Sequence, residues 1–282
     1  RIERRLVITH NRNLQEYVTY LNNNPEEAKL LAKEVLIGVT SFFRDADYFE
    51  ILKERVIIPL VRDTPAGNQI RVWVAGCSTG EEAYSVAILF AESMEELGIH
   101  RDIKIFATDL DNDSIATAVR GVYGDNIIED VSVYRLSKYF TRKGNRYVIR
   151  HDIRKMIIFA QHNVFQDPPF GRLDLICCRN VLIYFQSVLQ RNLFSIFHMA
   201  LNNNGYLFLG RSESVMDYDD IFRNLCPDEK IFIHNAGGKI PVHEKFNYSM
   251  QNFMSPIDSM QMPSYEEDRD VPYKPTELDP SV

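Results

Sequence analysis

From residue 71 onward, short apolar runs alternate with longer stretches in which apolar positions recur every three or four residues. The apolar runs predict strands over Arg71–Cys77, Ile103–Asp109, Met156–His162, Leu173–Cys178 and Gly205–Gly210. The amphipathic stretches predict helices over Glu81–Leu97, Asn112–Arg120 and Ser187–Leu201. Strands that are apolar throughout, rather than at every second position, are those buried on both faces, and their alternation with helices predicts a parallel sheet covered on both sides. Phe222–Leu225 and Lys230–His234 flank Pro227 and Asp228 and read as a terminal hairpin.

The same pattern divides the rest of the chain. Residues 1–35 read as helical: Leu14, Tyr17, Val18 and Leu21 share a face, Asn22 to Asn24 break it, and Pro25 with Glu26 and Glu27 opens a second helix. Another helix is expected from about Asp47 to Val61. Between residues 122 and 155 the alternation lapses into a tyrosine-rich stretch with a hairpin-like turn from Lys143 to Arg146, the mark of a small inserted β subdomain. Six of the twelve prolines and four of the eight methionines lie after residue 235. The expected organisation is therefore a partial helical N-terminal domain (1–36), a linker and connecting helix (37–68), an α/β domain (69–235) with its β subdomain, and an acidic, proline-rich tail or linker (236–282).

Composition narrows the functional classes. A net charge of −7 argues against general nucleic-acid binding. No apolar run reaches transmembrane length and no signal peptide is evident. The four cysteines lie on or beside apolar runs without metal-ligand spacing, which suits buried thiols in a reducing compartment. Arg1, Arg4, Arg5 and Arg12 make the first dozen residues basic, a candidate docking surface for an acidic partner. A chain that starts on Arg1 is expected to be excised from a longer polypeptide.

The candidate chemistry sits where the strands end, since ligands of doubly wound sheets bind at the carboxyl ends of the strands. The first strand runs into Gly76-Cys-Ser-Thr-Gly80, and the following helix opens on Glu81 and Glu82. A glycine turn at a helix start suits phosphate, but the turn lacks the phosphate-loop lysine and the third glycine of the dinucleotide pattern, and two acids repel phosphate. The second strand ends in Asp109, placed to accept both hydroxyls of a ribose. The third ends in Asn163 and Val164, able to meet an adenine edge, and the fourth in Arg179, Asn180 and, further on, Tyr184. An adenosyl group joined to an amino acid rather than to phosphate fits this set, and S-adenosylmethionine is such a ligand.

Five phrases, in order, resemble the chemotaxis receptor glutamate methyltransferases, the CheR-type family: Thr40-Ser-Phe-Phe-Arg44, Ser78-Thr-Gly-Glu-Glu82, Ala107-Thr-Asp109, Cys178-Arg-Asn-Val-Leu-Ile-Tyr-Phe185 and Gly210-Arg-Ser-Glu213. The resemblance implies a doubly wound methyltransferase domain behind a helical N-terminal domain, binding S-adenosylmethionine without a metal. It places Thr40 and Arg44 at the cofactor and the reacting centre, and Gly76 in the turn beneath the cofactor. Glu82 is placed on the methionine portion, Asp109 on the ribose, Asn163 and Val164 around the adenine, Arg179 and Asn180 over the methionyl part, and Tyr184 near the transferring methyl. Arg44 and Tyr184 are the catalytic candidates. Gly38 stands where the family often carries a cofactor-contacting asparagine.

The implied activity is methyl transfer to glutamate carboxylates on the cytoplasmic domain of a chemoreceptor or related signalling protein, by an enzyme of the bacterial cytoplasm that can be fused to other signalling domains. The short Lys143–Arg146 turn favours an enzyme independent of a receptor's C-terminal tether. The competing reading is a non-catalytic S-adenosylmethionine-binding module within a hybrid signalling protein. Phe42 and Phe43 are expected to pack rather than to touch substrate, Asp111 and Glu81 to start helices, and His162 to be structural.

Overall fold

A computed structural model of the chain describes residues 2–35 and 40–241. Gly38 and most of the proline-rich tail lie outside the described residues. The N-terminal segment forms α1 (Ile2–Ile8), α2 (Leu14–Asn23) and α3 (Pro25–Val35). Asn13 caps α2 by accepting the Glu16 N–H at 2.9 Å, and Pro25 begins α3, where its missing N–H costs nothing. The three helices meet on one buried carboxylate. Glu27 accepts the Arg5 Nε–H at 2.9 Å, a second bond from Arg5 Nη2, and the Tyr17 hydroxyl at 2.7 Å. The Arg5 hydrogen bonds hold Glu27 below the usual carboxylate range. This corrects the expected basic surface: Arg5 is buried inside the helical segment, and Arg4 and Arg12 are the exposed members of the described cluster.

After the Thr40–Arg44 turn come α4 (Ala46–Leu52), a wide π turn (Lys53–Ile57) and α5 (Ile58–Asp63). Sequence periodicity predicts a helix from about Asp47 to Val61, and the chain is helical throughout Ala46 to Asp63 with this π turn inside it: Pro59 has no N–H to return to the preceding turn, and the Ile58 N–H beside it reaches back five residues to Lys53.

The α/β body then runs β1 (Gln69–Ala75), α6 (Glu81–Leu97), β2 (Asp102–Asp109), α7 (Asn112–Arg120), β3 (Val122–Gly124), α8 (Val133–Tyr139), β4 (Phe140–Lys143), β5 (Arg146–Ile149), α9 (His151–Arg154), β6 (Ile157–Gln161), β7 (Leu173–Cys178), α10 (Ser187–Ala200), β8 (Leu201–Leu209), β9 (Phe222–Cys226) and β10 (Ile231–His234). Seven strands form one sheet in the order β6-β2-β1-β7-β8-β10-β9, parallel from β6 to β8, with β10 antiparallel to both neighbours. The order of connection reverses between β1 and β7, and the carboxyl ends of strands at such a reversal are where sheets of this kind bind ligands. β3, β5 and β4 form the separate antiparallel sheet of the inserted stretch, and its β4–β5 hairpin closes through two residues with Gly144 at φ 59°. No helix among the described residues is long and apolar enough to cross a membrane.

Alternation along β1 shows why its sequence is apolar throughout. Val72 and Val74 face a core shared with α4 to α6 and the inserted sheet; Trp73 and Ala75 face a second core under α10. Trp73 is fully buried, meets His162, Phe170 and Phe197 edge-on, and donates its indole N–H to Thr108 Oγ1 at 2.9 Å. Cys77, Cys177 and Cys178 are buried free thiols. β8 starts at Leu201, four residues earlier than the sequence suggests. Leu201 pairs with Leu173 across a register shift, so the polar Asn202 to Asn204 extend a strand instead of a loop.

At the amino end of β8 two histidines share a proton. His234 Nδ1 lies 2.8 Å from the Asn202 carbonyl, which can only accept, so Nδ1 carries the hydrogen and Nε2 accepts from His198 Nδ1 at 2.8 Å. Burial lowers both pKa values, and for His198 the facing ring lowers it further. Because the folded chain disfavours the charged forms, the stability this pair supplies is complete above the unfolded histidine pKa of about 6.5 and is lost as pH falls below it. Melting temperature is therefore expected to fall between about pH 7 and pH 5, and to fall less in His198→Gln, whose amide keeps the hydrogen bond without titrating. Equal slopes in the two proteins, measured by calorimetry, would remove the pair as a cause.

Candidate cofactor site

The crevice is built from the turn after β1. Gly76 has φ 75°, and a Cβ there would sit 2.4 Å from Val181 Cγ2; the position needs glycine both for its conformation and for the close approach of the β7 loop. The Gly76 and Cys77 N–H groups both donate to the Thr108 carbonyl, at 2.8 and 2.9 Å, fastening the end of β1 to β2. Asp109 completes the join. Its Oδ2 accepts the Ser78 N–H at 2.8 Å and its Oδ1 the Asp111 N–H at 2.9 Å. Each oxygen keeps a second lone pair, so Asp109 both holds the turn and retains capacity for a pair of hydroxyls. Asp111 caps α7, and Glu81 accepts the Thr79 hydroxyl at 2.7 Å in the first turn of α6, the helix-start roles expected of them.

Charge in the crevice is unusually buried. The Arg179 side chain is 0% exposed; its Nη2 donates to Asp45 at 2.7 Å, its Nη1 lies 3.5 Å from Glu82, and its guanidinium stacks between the Phe49 and Phe208 rings at 5.0 and 4.7 Å. Nη1 and Nε have no hydrogen-bond partner among the described residues, so the Glu82 contact is an ion pair longer than a good hydrogen bond. Burial raises the Glu82 pKa to about 7, against the opposing pull of Arg179; Glu213 raises it further and Arg44 lowers it.

The β7 loop carries the next group. Asn180 has φ 58°, and the N–H groups of Asn180, Val181 and Leu182 all donate to the Glu213 carboxylate. Tyr184 ends a short 3-10 turn and is 40% exposed, so it lies outside the core. On the other side, the His162 N–H donates to the Asp109 carbonyl at 3.0 Å, bringing the end of β6 beside Asp109. Asn163 Oδ1 accepts the Phe165 N–H at 3.0 Å, forming its own turn. Val164 packs on the second core, and Phe165 meets Phe185 edge-on at 5.0 Å, which joins the β6 and β7 loops. His162 packs against Trp73 and donates its Nε2–H to the Pro168 carbonyl at 3.1 Å, a structural place.

The Thr40–Arg44 turn closes the group. Phe42 is buried edge-on to Tyr123 and Phe140 of the inserted stretch, and Phe43 packs on Phe49 beneath the Arg135 guanidinium, 4.1 Å from its centroid. The Phe43 N–H donates to Ser85 Oγ of α6 at 2.9 Å. With both rings buried, Arg44 projects outward, exposed and within electrostatic reach of Glu82. Thr40 is half-buried at the start of the turn. The structure thus gathers Gly76, Glu82, Asp109, Asn163, Arg179, Asn180 and Arg44 from five separate segments. Arg179 is fully buried against Asp45 and Glu82, and the family resemblance implies a place for it over the methionyl part of the ligand. Asp45 and Glu213 were missed as members of this group. The signal for Asp45 was its place beside Arg44; the signal for Glu213 was its membership in the Gly210–Glu213 phrase.

The donor set fits S-adenosylmethionine. A near-buried carboxylate suits an ammonium, a strand-end acid with spare lone pairs suits ribose hydroxyls, and a Cβ-less turn admits the ligand close to the backbone. A sheet of this order with this turn after its first strand is the cofactor-binding domain of an S-adenosylmethionine-dependent methyltransferase. The family model for the CheR methyltransferase, SAM binding domain, matches residues 38–231, and the chain belongs to that family. Relatives include an uncharacterized 104.1 kDa protein in the hypE 3' region of Rhodobacter capsulatus, 42% identical over 87% of this chain and 26% of its own length. They also include chemotaxis protein methyltransferase 2 of Vibrio cholerae, 34% identical over 79% of this chain and 78% of that protein. The chemotaxis protein methyltransferase of Borreliella burgdorferi is 31% identical over 72% and 75%. The chain spans about a quarter of the first of these and about three quarters of the other two.

Two expectations test the site. Asp109→Ala should weaken S-adenosylhomocysteine binding by roughly 1.5–3 kcal/mol through lost charge-assisted hydrogen bonds; equal affinity by titration calorimetry would remove Asp109 from the site. If Glu82 takes the ligand's ammonium it must be ionised, so affinity should strengthen as pH rises through about 7 and level off above it. Glu82→Gln should bind more weakly and lose that slope, and a wild-type slope in the variant would place the titrating group elsewhere.

Proposed function

We propose that the chain transfers the methyl group of S-adenosylmethionine to glutamate side-chain carboxylates of a chemoreceptor-type signalling protein. The reading rests on Arg44, an exposed arginine that follows two buried phenylalanines and lies within electrostatic reach of Glu82. The similarity to chemotaxis protein methyltransferases of Vibrio cholerae and Borreliella burgdorferi supports the chemotaxis context.

The chemistry asks little of the protein beyond placement. S-adenosylmethionine supplies a methyl group on a positively charged sulfur. The acceptor glutamate, with an unperturbed pKa of about 4.3, is already ionised near neutrality, so no general base has to remove a proton. A carboxylate oxygen forms the new O–CH3 bond while the S–CH3 pair returns to sulfur, leaving an ester and a neutral thioether. Arg44 orients the acceptor through its planar fork, Tyr184 walls the crevice beside the methyl path, and Glu82 and Asp109 hold the methionyl and ribose portions of the cofactor. Orientation of this kind supplies several kcal/mol of barrier lowering. The partner proposed is the cytoplasmic helical domain of such a receptor, reached from the cytoplasm. The two-residue β4–β5 turn supports a mode independent of a C-terminal tether.

A second reading, a cofactor-binding module inside a hybrid signalling protein, is favoured by one observation: the relative with the highest of the three identities is several times longer than this chain. Arg44 separates the two. Arg44→Ala should retain S-adenosylhomocysteine affinity within a few fold while base-labile methyl labelling of receptor fragments falls by two orders of magnitude or more, about 3 kcal/mol of orientation. Arg44→Lys should recover little of it, because it restores charge without the fork. A wild-type chain that binds cofactor yet labels no receptor glutamate decides for the module. Loss of cofactor affinity alone in Arg44→Ala moves Arg44 into the cofactor site.

A further inference from the structure

Gly210–Glu213 holds no assigned place in the site, yet its carboxylate is among the most heavily used groups in the structure. β8 ends at Leu209, and the chain folds back so that the Glu213 N–H returns to the Gly210 carbonyl at 2.9 Å. The side chain, 4% exposed, then points under the β7 loop. Oε1 accepts the Val181 and Leu182 N–H groups at 2.9 and 2.8 Å; Oε2 accepts those of Asn180 and Gly210 at 3.0 and 2.7 Å. Four main-chain donors occupy the four lone-pair sites of one carboxylate.

The loop requires such a group. Asn180 sits at φ 58°, and the N–H groups of residues 180 to 182 converge as in the anion-binding concavities of main-chain nests. With nothing negative at their focus, three aligned N–H dipoles repel and the left-handed residue has no compensation. The carbonyl side of the loop is held independently: the Gln190 amide donates to the Leu182 and Phe185 carbonyls at 3.0 and 2.9 Å. Gly210 completes the fit, since a Cβ there would lie 2.7 Å from Glu213 Oε2, 2.8 Å from the Asn180 nitrogen and 3.1 Å from Asn180 Nδ2. The Asn180 amide is therefore aimed from a backbone whose shape an internal anion dictates.

We propose that Glu213 is a positioning residue for cofactor binding: its carboxylate serves as the built-in anion that preforms the Asn180–Tyr184 loop, so that Asn180 meets the cofactor without first ordering its own backbone. The proposal rests on the reading of Asn180 as a cofactor contact and is independent of whether glutamate is the methyl acceptor.

The test is a double-substitution cycle read as S-adenosylhomocysteine affinity by calorimetry on the full chain, with circular dichroism and melting recorded for every variant. Glu213→Gln keeps the shape but turns an NH2 group toward main-chain donors; its dissociation constant should rise at least tenfold. Asn180→Ala should weaken binding several-fold in the wild type and less than twofold once Glu213 is replaced, because Asn180 is then no longer held in place. A group that merely supports the fold would shift melting and leave the two substitutions multiplying in full. Gly210→Ala leaves the carboxylate intact and drives a methyl between it and the Asn180 N–H. It should reproduce the weakening and the loss of coupling, and it decides the matter if Glu213→Gln does not fold. Wild-type affinity in a folded Glu213→Gln, or in Gly210→Ala where that variant decides, overturns the proposal, as do fully multiplicative effects. Normal binding by Asn180→Ala alone also overturns it by taking the loop out of the cofactor site; a weakened Asp109→Ala would then show that the site itself stands.

Discussion

A guanidinium with no exposure to water is the constraint around which the crevice is arranged. Arg179 follows directly after β7, and burying its charge is tolerable only with oppositely charged partners in place; removing one such partner costs about 3–5 kcal/mol by leaving the charge uncompensated. Its partners come from two distant segments, Asp45 from the turn before α4 and Glu82 from the first turn of α6, with Phe49 and Phe208 covering its faces. One buried cation thereby joins the linker turn, the first helix of the sheet and the β7 loop. It also opposes the effect of burial on Glu82, which raises that carboxylate's pKa to about 7 against the pull of Arg179.

The inserted sheet is tied to the same arrangement through aromatic contacts. Tyr123 and Phe140 hold Phe42, and Arg135, itself bonded to Glu92 at 2.8 Å, lies over Phe43. Those two phenylalanines directly precede Arg44, so the insertion packs against the turn that carries the exposed arginine.

Much of this was legible in the chain. The strands were readable because strands covered on both faces must be apolar at every position, and the turn after β1 because only glycine tolerates the approach of Val181. The glycine turn, Asp109 and the phrase around Asn180 followed from strand ends and from a family resemblance. What escaped depends on convergence across long separations. Arginine in a sequence reads as a surface residue, and nothing local to Arg179 announces partners 134 and 97 positions upstream. Arg5 read as part of a basic surface until Glu27 and Tyr17 were seen around it. Glu213 looked like a motif residue without a task because its four donors are main-chain groups, which leave no side-chain signature. The early start of β8 was hidden by three asparagines that strand propensity disfavours and register with Leu173 overrides.

Left-handed backbone at residues other than glycine falls repeatedly in this region: Phe43, Asp45, Ser78 and Asn180 all have φ between 47° and 60°. Such conformations each cost on the order of 1 kcal/mol or more and persist where surrounding structure over-determines them. Their clustering sets the terms on which this domain can diverge. Lineages that drift toward greater heat tolerance gain least by relaxing these four positions, because the strain held there shapes the turns that adjoin Arg44, Asp109 and Arg179. Robustness has to accumulate elsewhere, in the helices and the far end of the sheet, while the crevice stays comparatively brittle.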